Sequence, residues 1–110
     1  MEFSEMILAE PSVFAVENRY QICVIVAAEC TMWVSVGNKT YYDHSNGILR
    51  SGKYLHKVEL PMQTLDTEKK YTIYLRPIVE RKPYFTETKE PVSAEYTFSP
   101  IQKKEKYNIL

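Results

Sequence analysis

The chain has 110 residues, the size of a single domain, and 45% of them are hydrophobic, so it can bury a core without a metal or disulfides. Fourteen basic residues balance fourteen acidic ones, so the chain lacks the net positive charge by which proteins attract nucleic acid or anionic membranes. No stretch approaches the roughly 20 consecutive apolar residues of a membrane span. Because the N-terminus is acidic and lacks a secretion signal, we expect a cytoplasmic protein with no nucleic-acid or membrane partner.

Apolar residues recur with a period of two along most of the chain, which is the period of β-strands. In chain order, the predicted strands are 6–16 (an edge strand interrupted by Pro11), 20–27, 31–36, 39–43, 48–50, 54–60, 71–79 and 92–98. Gly37-Asn38 and Asn46-Gly47 are typical of two-residue hairpin turns. A polar crossing loop is predicted at 61–70 and a long loop at 81–91. Seven to eight short strands with turns between them predict an all-β, antiparallel sandwich.

The same alternation predicts which side chains face the core. One predicted strand places Tyr54, His56, Val58 and Leu60 on a shared face. A second directs Tyr71, Ile73 and Leu75 inward, and the last directs Val92, Ala94, Tyr96 and Phe98 inward.

Cys23 and Cys30 are predicted to be free thiols. A strand of seven residues would separate them by up to about 20 Å, whereas a disulfide needs Cα atoms within roughly 7 Å. Cys23 lies between Ile22 and Val24, so we interpret it as a small core side chain.

One local motif narrows the type of sandwich. Leu65 precedes Tyr71 by six residues at the start of a predicted strand, which resembles the fibronectin type III signature. The resemblance implies a tyrosine corner, in which the Tyr71 hydroxyl bonds back to the loop backbone. The chain departs from the signature at Thr67, where a proline is usual, and in Trp33, which lies one strand later than is usual.

Most of the chain also resembles the N-terminal, immunoglobulin-like domain of bacterial purple-acid-phosphatase-like metallophosphoesterases, members of the calcineurin-like phosphoesterases. The resemblance rests on Trp33-Val34-Ser35-Val36-Gly37, on Tyr41-Tyr42-Asp43 with Asn46-Gly47, and on Glu80-Arg81-Lys82-Pro83-Tyr84-Phe85.

This resemblance implies a fibronectin type III-like domain at 1–100, and at 101–110 a linker with the first residues of a following catalytic domain. That C-terminal domain would be the partner of the sandwich, and it would bind two divalent or trivalent metal ions. The oligomeric state is not predicted.

The chain itself offers little chemistry. It has two histidines and two aspartates, too few for a two-metal phosphoesterase site. Asp43 and His44 are adjacent, so in a strand they would point to opposite faces. His56 is interpreted as a packed or partly exposed histidine at the edge of the core, not as a metal ligand. We therefore expect no catalytic residue, no metal ligand and no cofactor in this chain, which would not be an enzyme.

Two surfaces are candidates for contact with a neighbouring domain. The long loop combines two cations with two aromatic rings: Arg81, Lys82, Tyr84 and Phe85. Such residues are enriched at interfaces, although a solvated loop with its rings folded onto the sandwich is the alternative. Tyr42 and Arg50 form a second, weaker candidate. A different hypothesis is a free-standing module that binds carbohydrate or peptide through Trp33, Tyr41, Tyr42 and Tyr84.

Overall fold

The computed structural model describes residues 2–45, 48–49, 51–52, 55–82, 85–88 and 90–98, of which 44–45, 48–49, 51–52, 78–82 and 85–88 are described by their backbone alone. The elements, in chain order, are α1 (Phe3–Met6), β1 (Ser12–Val16), β2 (Arg19–Ile25), β3 (Cys30–Val36), β4 (Lys39–Tyr42), β5 (His44–Ser45), β6 (Ile48–Leu49), β7 (Ser51–Gly52), β8 (Leu55–Pro61), α2 (Met62–Glu68), β9 (Lys70–Lys82), β10 (Phe85–Thr88) and β11 (Val92–Thr97).

The strands form two main antiparallel sheets, and β5 pairs with β6 in a separate two-stranded sheet. The first main sheet has the order β1-β2-β8. The second has six strands: its body, called the four-stranded sheet below, is β4-β3-β9 with β11 on the far side of β9, while β7 also pairs with β3 and β10 also pairs with β9. The chain makes a hairpin in the first sheet, crosses to make a hairpin in the second, returns as β8 and crosses again to β9. This alternation is the Greek-key order of immunoglobulin and fibronectin type III domains. The predicted all-β sandwich is confirmed.

The core lies between the inward faces of the two sheets. The predicted inward residues of β8, β9 and β11 are confirmed, because Val58, Leu60, Ile73 and Leu75 are fully buried and the outward residues of β11 are exposed. Its members include Tyr20, Ile22, Val24, Val58 and Leu60 from the three-stranded sheet and Met32, Val34, Val36, Ile73 and Leu75 from the other.

The N-terminal segment differs from the prediction. Only the part after Pro11 forms an edge strand, β1, while the part before it contains the single helical turn α1 and one isolated bridge between Ile7 and Val26. A capping box between Glu2 and Glu5 satisfies the first backbone donors of this turn. Burial of apolar side chains on the turn then holds it against the core.

The crossing between the sheets also differs, because the predicted loop at 61–70 contains the helix α2. Only Leu65 of this helix is buried, and Lys69 ends it in the left-handed conformation with its N–H donating to the Leu65 carbonyl at 2.8 Å. The Tyr20 hydroxyl donates to Asp66 at 2.7 Å. The burial of Leu65 and the hydrogen bond from Tyr20 involve residues distant in the chain, so the sequence of the helix alone does not reveal them. Both contacts stabilise the helix.

The predicted tyrosine corner is not formed among the described residues. The Tyr71 ring packs against the Tyr96 ring with their centroids 5.7 Å apart, and no hydrogen bond between described residues joins its hydroxyl to the preceding loop. The tyrosine that holds this crossing is Tyr20, on β2.

Neither cysteine is part of a disulfide, as predicted, but the predicted core position of Cys23 is wrong. Cys30 is fully buried, whereas Cys23 is half-buried on the outer face of β2. The reason is register: Tyr20, Ile22 and Val24 take the inward positions of that strand, so the odd-numbered residues point outward.

Candidate functional site

The contact role of Arg81, Lys82 and Phe85 stays a prediction, because the structure describes these three residues by their backbone alone. The supposed long loop at 81–91 begins as a hairpin, in which β9 continues to Lys82 and pairs with β10 through Phe85–Lys82 and Thr86–Arg81. The prediction of a loop over this part is therefore wrong. Charged residues and Pro83 suggested a loop, but backbone hydrogen bonds between the two strands form there instead. Tyr84 and Arg50 lie outside the described residues, as does the Asn46-Gly47 turn.

Tyr42 is the predicted contact residue whose side chain the structure describes. It ends β4, and 45% of its surface is exposed. Its partner in the β3–β4 ladder is Trp33, which points outward because Met32 and Val34 on either side of it point into the core. The two ring centroids lie 6.2 Å apart, with 38° between the ring planes.

The neighbouring strand β9 extends this contact. Tyr74 pairs with Trp33 in the ladder, and the two rings are stacked with centroids 5.5 Å apart and planes 7° apart. The Arg76 guanidinium lies over the Trp33 ring, 5.0 Å from its centroid. We call these four residues, Tyr42, Trp33, Tyr74 and Arg76, the aromatic row.

The aromatic row crosses three strands on the outer face of the four-stranded sheet. Aromatic cross-strand pairs stabilise a sheet by up to about 1 kcal/mol each, so part of the row has a structural role. That role does not require an exposed ring at its end, and Tyr42 provides one. The three-stranded sheet also exposes large apolar side chains, Phe14 on β1 and, at the end of β2, Ile25 beside its ladder partner Leu55, but these include one aromatic ring and no stacked pair.

The sequence contained a signal for the two residues that the prediction missed. Tyr71, Ile73 and Leu75 were assigned to the core, which by alternation directs Tyr74 and Arg76 to the opposite face. Their meeting with Trp33 depends on the register of β3 against β9, which is a tertiary feature. Tyr41, the other tyrosine of the predicted aromatic surface, is separated from the row because it packs against the core, with its hydroxyl 3.4 Å from that of Thr64.

A second group of polar side chains lies in the core between the two sheets. Asp43 and His56 are buried, with 1% and 0% of their surfaces exposed, and the His56 Nδ1 lies 2.7 Å from the Asp43 Oδ2. The His56 Nε2 faces the sulfur of buried Cys30 at 3.9 Å. The predicted packed histidine is confirmed, but its aspartate partner, from another strand, was not foreseen. We call these three residues the buried polar cluster.

The buried polar cluster has the order of groups found in thiol nucleophile sites, yet all three residues are closed off from solvent. Burial among apolar neighbours is typical of structural cysteines rather than of reactive ones. Among the described residues, no group of three or more histidine, cysteine, aspartate or glutamate side chains is arranged to hold a metal ion.

Comparison with known proteins adds little about function. No protein-family model matches the chain, and no curated protein matches it. A structure titled "Human pre-T cell receptor crystal structure" is similar at 15% identity, over 78% of this chain and 93% of that chain, with a TM-score of 0.33. At that level the likeness supports no argument about function. Among the described residues, no helix has the length and apolar character to cross a membrane.

Proposed function

We propose that this chain is a non-catalytic interaction domain that binds a protein partner through the aromatic row. The observation that supports this most directly is the set of Tyr42, Trp33, Tyr74 and Arg76 side by side on an outer sheet face. Tryptophan, tyrosine and arginine dominate the binding energy of protein interfaces.

The contacts within the aromatic row support a protein partner for a second reason. Trp33 is already held by Tyr74 and Arg76, so little side-chain entropy would be lost when a partner covers it. The same contacts cover part of the Trp33 ring, on which a sugar would have to stack. The row therefore suits a protein surface better than a carbohydrate, which is one of the two ligands, carbohydrate or peptide, of the alternative hypothesis.

In its more specific form, the proposal names the partner as a metallophosphoesterase catalytic domain that follows in the same polypeptide. Its support is the sequence resemblance in three segments, of which the first contains Trp33 and the second Tyr42. In that arrangement the two metal ions and the phosphoester chemistry belong to the catalytic domain, and the sandwich contributes a contact surface.

The coding sequence beyond Leu110 tests the identity of the partner. We expect an apolar strand followed by an Asp-x-His metal motif, and then by Gly-Asp and Gly-Asn-His. A stop codon immediately after Leu110 would contradict the phosphoesterase assignment, and the interaction domain would then bind a separate protein.

Amide hydrogen exchange tests the surface itself. In the full-length polypeptide, we expect slower exchange in β3, β4 and β9 than in the 110-residue chain, because a covered sheet face opens less often. Tyr42→Ala should reduce that protection. The matched control is Phe14→Ala, which removes a ring of similar exposure (43%) from the other sheet and should leave it unchanged. Protection confined to β1, β2 and β8 would place the interface elsewhere.

A further inference from the structure

The Asp43 side chain is fixed more firmly than its place at the end of a strand requires. Its Oδ2 accepts hydrogen bonds from the ring of His56 at 2.7 Å and from the backbone N–H of Lys57 at 3.2 Å. Its own backbone N–H donates to the carbonyl of Met32 at 3.3 Å. A buried carboxylate held in this way has one position, because any rotation would leave a charge without partners in the protein interior.

That position lies directly behind the most exposed end of the aromatic row. Tyr42 and Asp43 are consecutive, so the ring points outward where the carboxylate points inward. Met32, which accepts the Asp43 backbone hydrogen bond, immediately precedes Trp33. Tyr42 and Trp33 are therefore each adjacent in sequence to one of the two residues, Asp43 and Met32, that this backbone hydrogen bond joins.

His56 connects this anchor to the opposite sheet. It lies on β8 in the three-stranded sheet, while its two ring nitrogens face Asp43, after β4, and Cys30, on β3. The imidazole thus spans the core between the two sheets. It also fixes the point at which the chain leaves the four-stranded sheet.

We propose that Asp43 and His56 are positioning residues for the aromatic row: they hold the end of β4 so that Tyr42 rests against Trp33. The significance of this arrangement for binding rests on the proposed function, whereas the arrangement itself is testable in the unbound chain. The β3–β4 ladder ends at Tyr42, and the Asp43 backbone N–H continues the contact with β3 by donating to the Met32 carbonyl.

Trp33 is the only tryptophan of the chain, so it reports on the row without interference. In Asp43→Ala we expect Trp33 emission to shift to longer wavelength and the near-ultraviolet circular dichroism of the aromatic row to diminish. Asp43→Asn keeps a carbonyl oxygen that can accept from His56 and Lys57, so it should retain most of both signals. Because loss of a buried carboxylate can prevent folding, His56→Gln serves as a second variant with the same expected change.

The matched control is Asp66→Asn, which weakens a different hydrogen bond to a carboxylate, that of Tyr20 on the three-stranded sheet. It should lower stability without altering Trp33 emission in the folded protein. If Asp43→Ala and His56→Gln fold and leave both signals of the aromatic row unchanged, the cluster has no positioning role and the proposal is wrong.

The full-length polypeptide separates this proposal from the proposed function. Loss of interface protection in Tyr42→Ala and in Asp43→Ala alike supports both proposals. If Tyr42→Ala leaves the protection unchanged while Asp43→Ala still alters Trp33 emission, the proposed function fails and the positioning role stands.

Discussion

Tyr20 lies where the three-stranded sheet meets α2, and its hydroxyl donates a 2.7 Å hydrogen bond to Asp66. Burial, and then this hydrogen bond and the Asp66 charge, raise its pKa from 10.0 to about 12. Burial likewise raises the pKa of Tyr71 to about 12, with smaller contributions from Tyr96 and Glu10. In both cases the folded chain favours the neutral phenol, since a buried phenolate would lose its hydration.

These shifts predict that the domain loses stability in alkali. Because the pKa is higher in the folded state, the unfolded chain releases its phenolic protons first as the pH rises. The contribution of these tyrosines to the free energy of unfolding is therefore fully present below pH 10 and decreases as the pH rises toward 12. We expect Tyr20→Phe to lower the free energy of unfolding at pH 8 by about 1 kcal/mol. The same variant should lose less stability than the wild-type chain between pH 8 and pH 11.

Urea unfolding at the two pH values measures this effect. Tyr42→Phe is the control, because its ring is exposed and removed from the Asp66 contact. If Tyr20→Phe and the wild-type chain lose equal stability in alkali, Tyr20 is not a source of the sensitivity.

At the same scale, the buried polar cluster of Asp43, His56 and Cys30 was only partly predictable from the sequence. Alternation predicted correctly that His56 faces the core. It could not predict that a carboxylate thirteen residues away meets the imidazole, because that contact depends on how the two sheets face each other.

At the scale of elements, α2 shows how tertiary contacts select a helix in a segment without a helical sequence pattern. The segment was predicted to be a polar crossing loop because it is too short to show a helical pattern. In the folded chain, Leu65 is buried beneath it and Lys69 ends it with φ 63°. A left-handed conformation at this position favours glycine, since any side chain there is strained.

Lys69→Gly is therefore expected to stabilise the domain by about 0.5–1 kcal/mol, as the relief of strain exceeds the added entropy of the unfolded chain. The midpoint of urea unfolding measures the effect. Lys70→Gly is the control, because Lys70 begins β9 as an extended residue, and glycine in a strand should destabilise. A decrease in stability for both variants would contradict the argument.

The β3–β4 hairpin shows the opposite case, in which the local sequence was sufficient to predict the turn. Gly37-Asn38 was predicted to be a two-residue turn, and Val36 pairs with Lys39 across it. Gly37 has φ 63°, a conformation that glycine adopts without strain. A turn of this kind is specified locally, by residues adjacent in the chain.

At the scale of the whole molecule, the two sheets share one core, and the elements that cross between them contact both. A domain of this size with one core is expected to unfold in a single transition. Trp33 reports on the four-stranded sheet, and in Cys23→Ser the remaining thiol, Cys30, reports on the interior.

We predict that Cys30 becomes reactive toward a thiol reagent over the same urea range in which Trp33 emission shifts. The two signals should change together because Cys30 is fully buried between the sheets, with its sulfur 3.9 Å from the His56 Nε2, and a reagent reaches it only when the sheets separate. Reactivity at a clearly lower urea concentration would mean that the sheets separate before the four-stranded sheet unfolds.

The sequence by itself determined the fold class, the hairpin turn at Gly37, the free thiols and the inward faces of β8, β9 and β11. These features follow from alternation and turn chemistry, which act between residues close in the chain. Only the tertiary structure decided that α2 forms, that Tyr74 and Arg76 meet Trp33, and that Asp43 pairs with His56. Each of these contacts joins residues from different strands or sheets, so its geometry depends on strand register and sheet packing, which local sequence patterns do not encode.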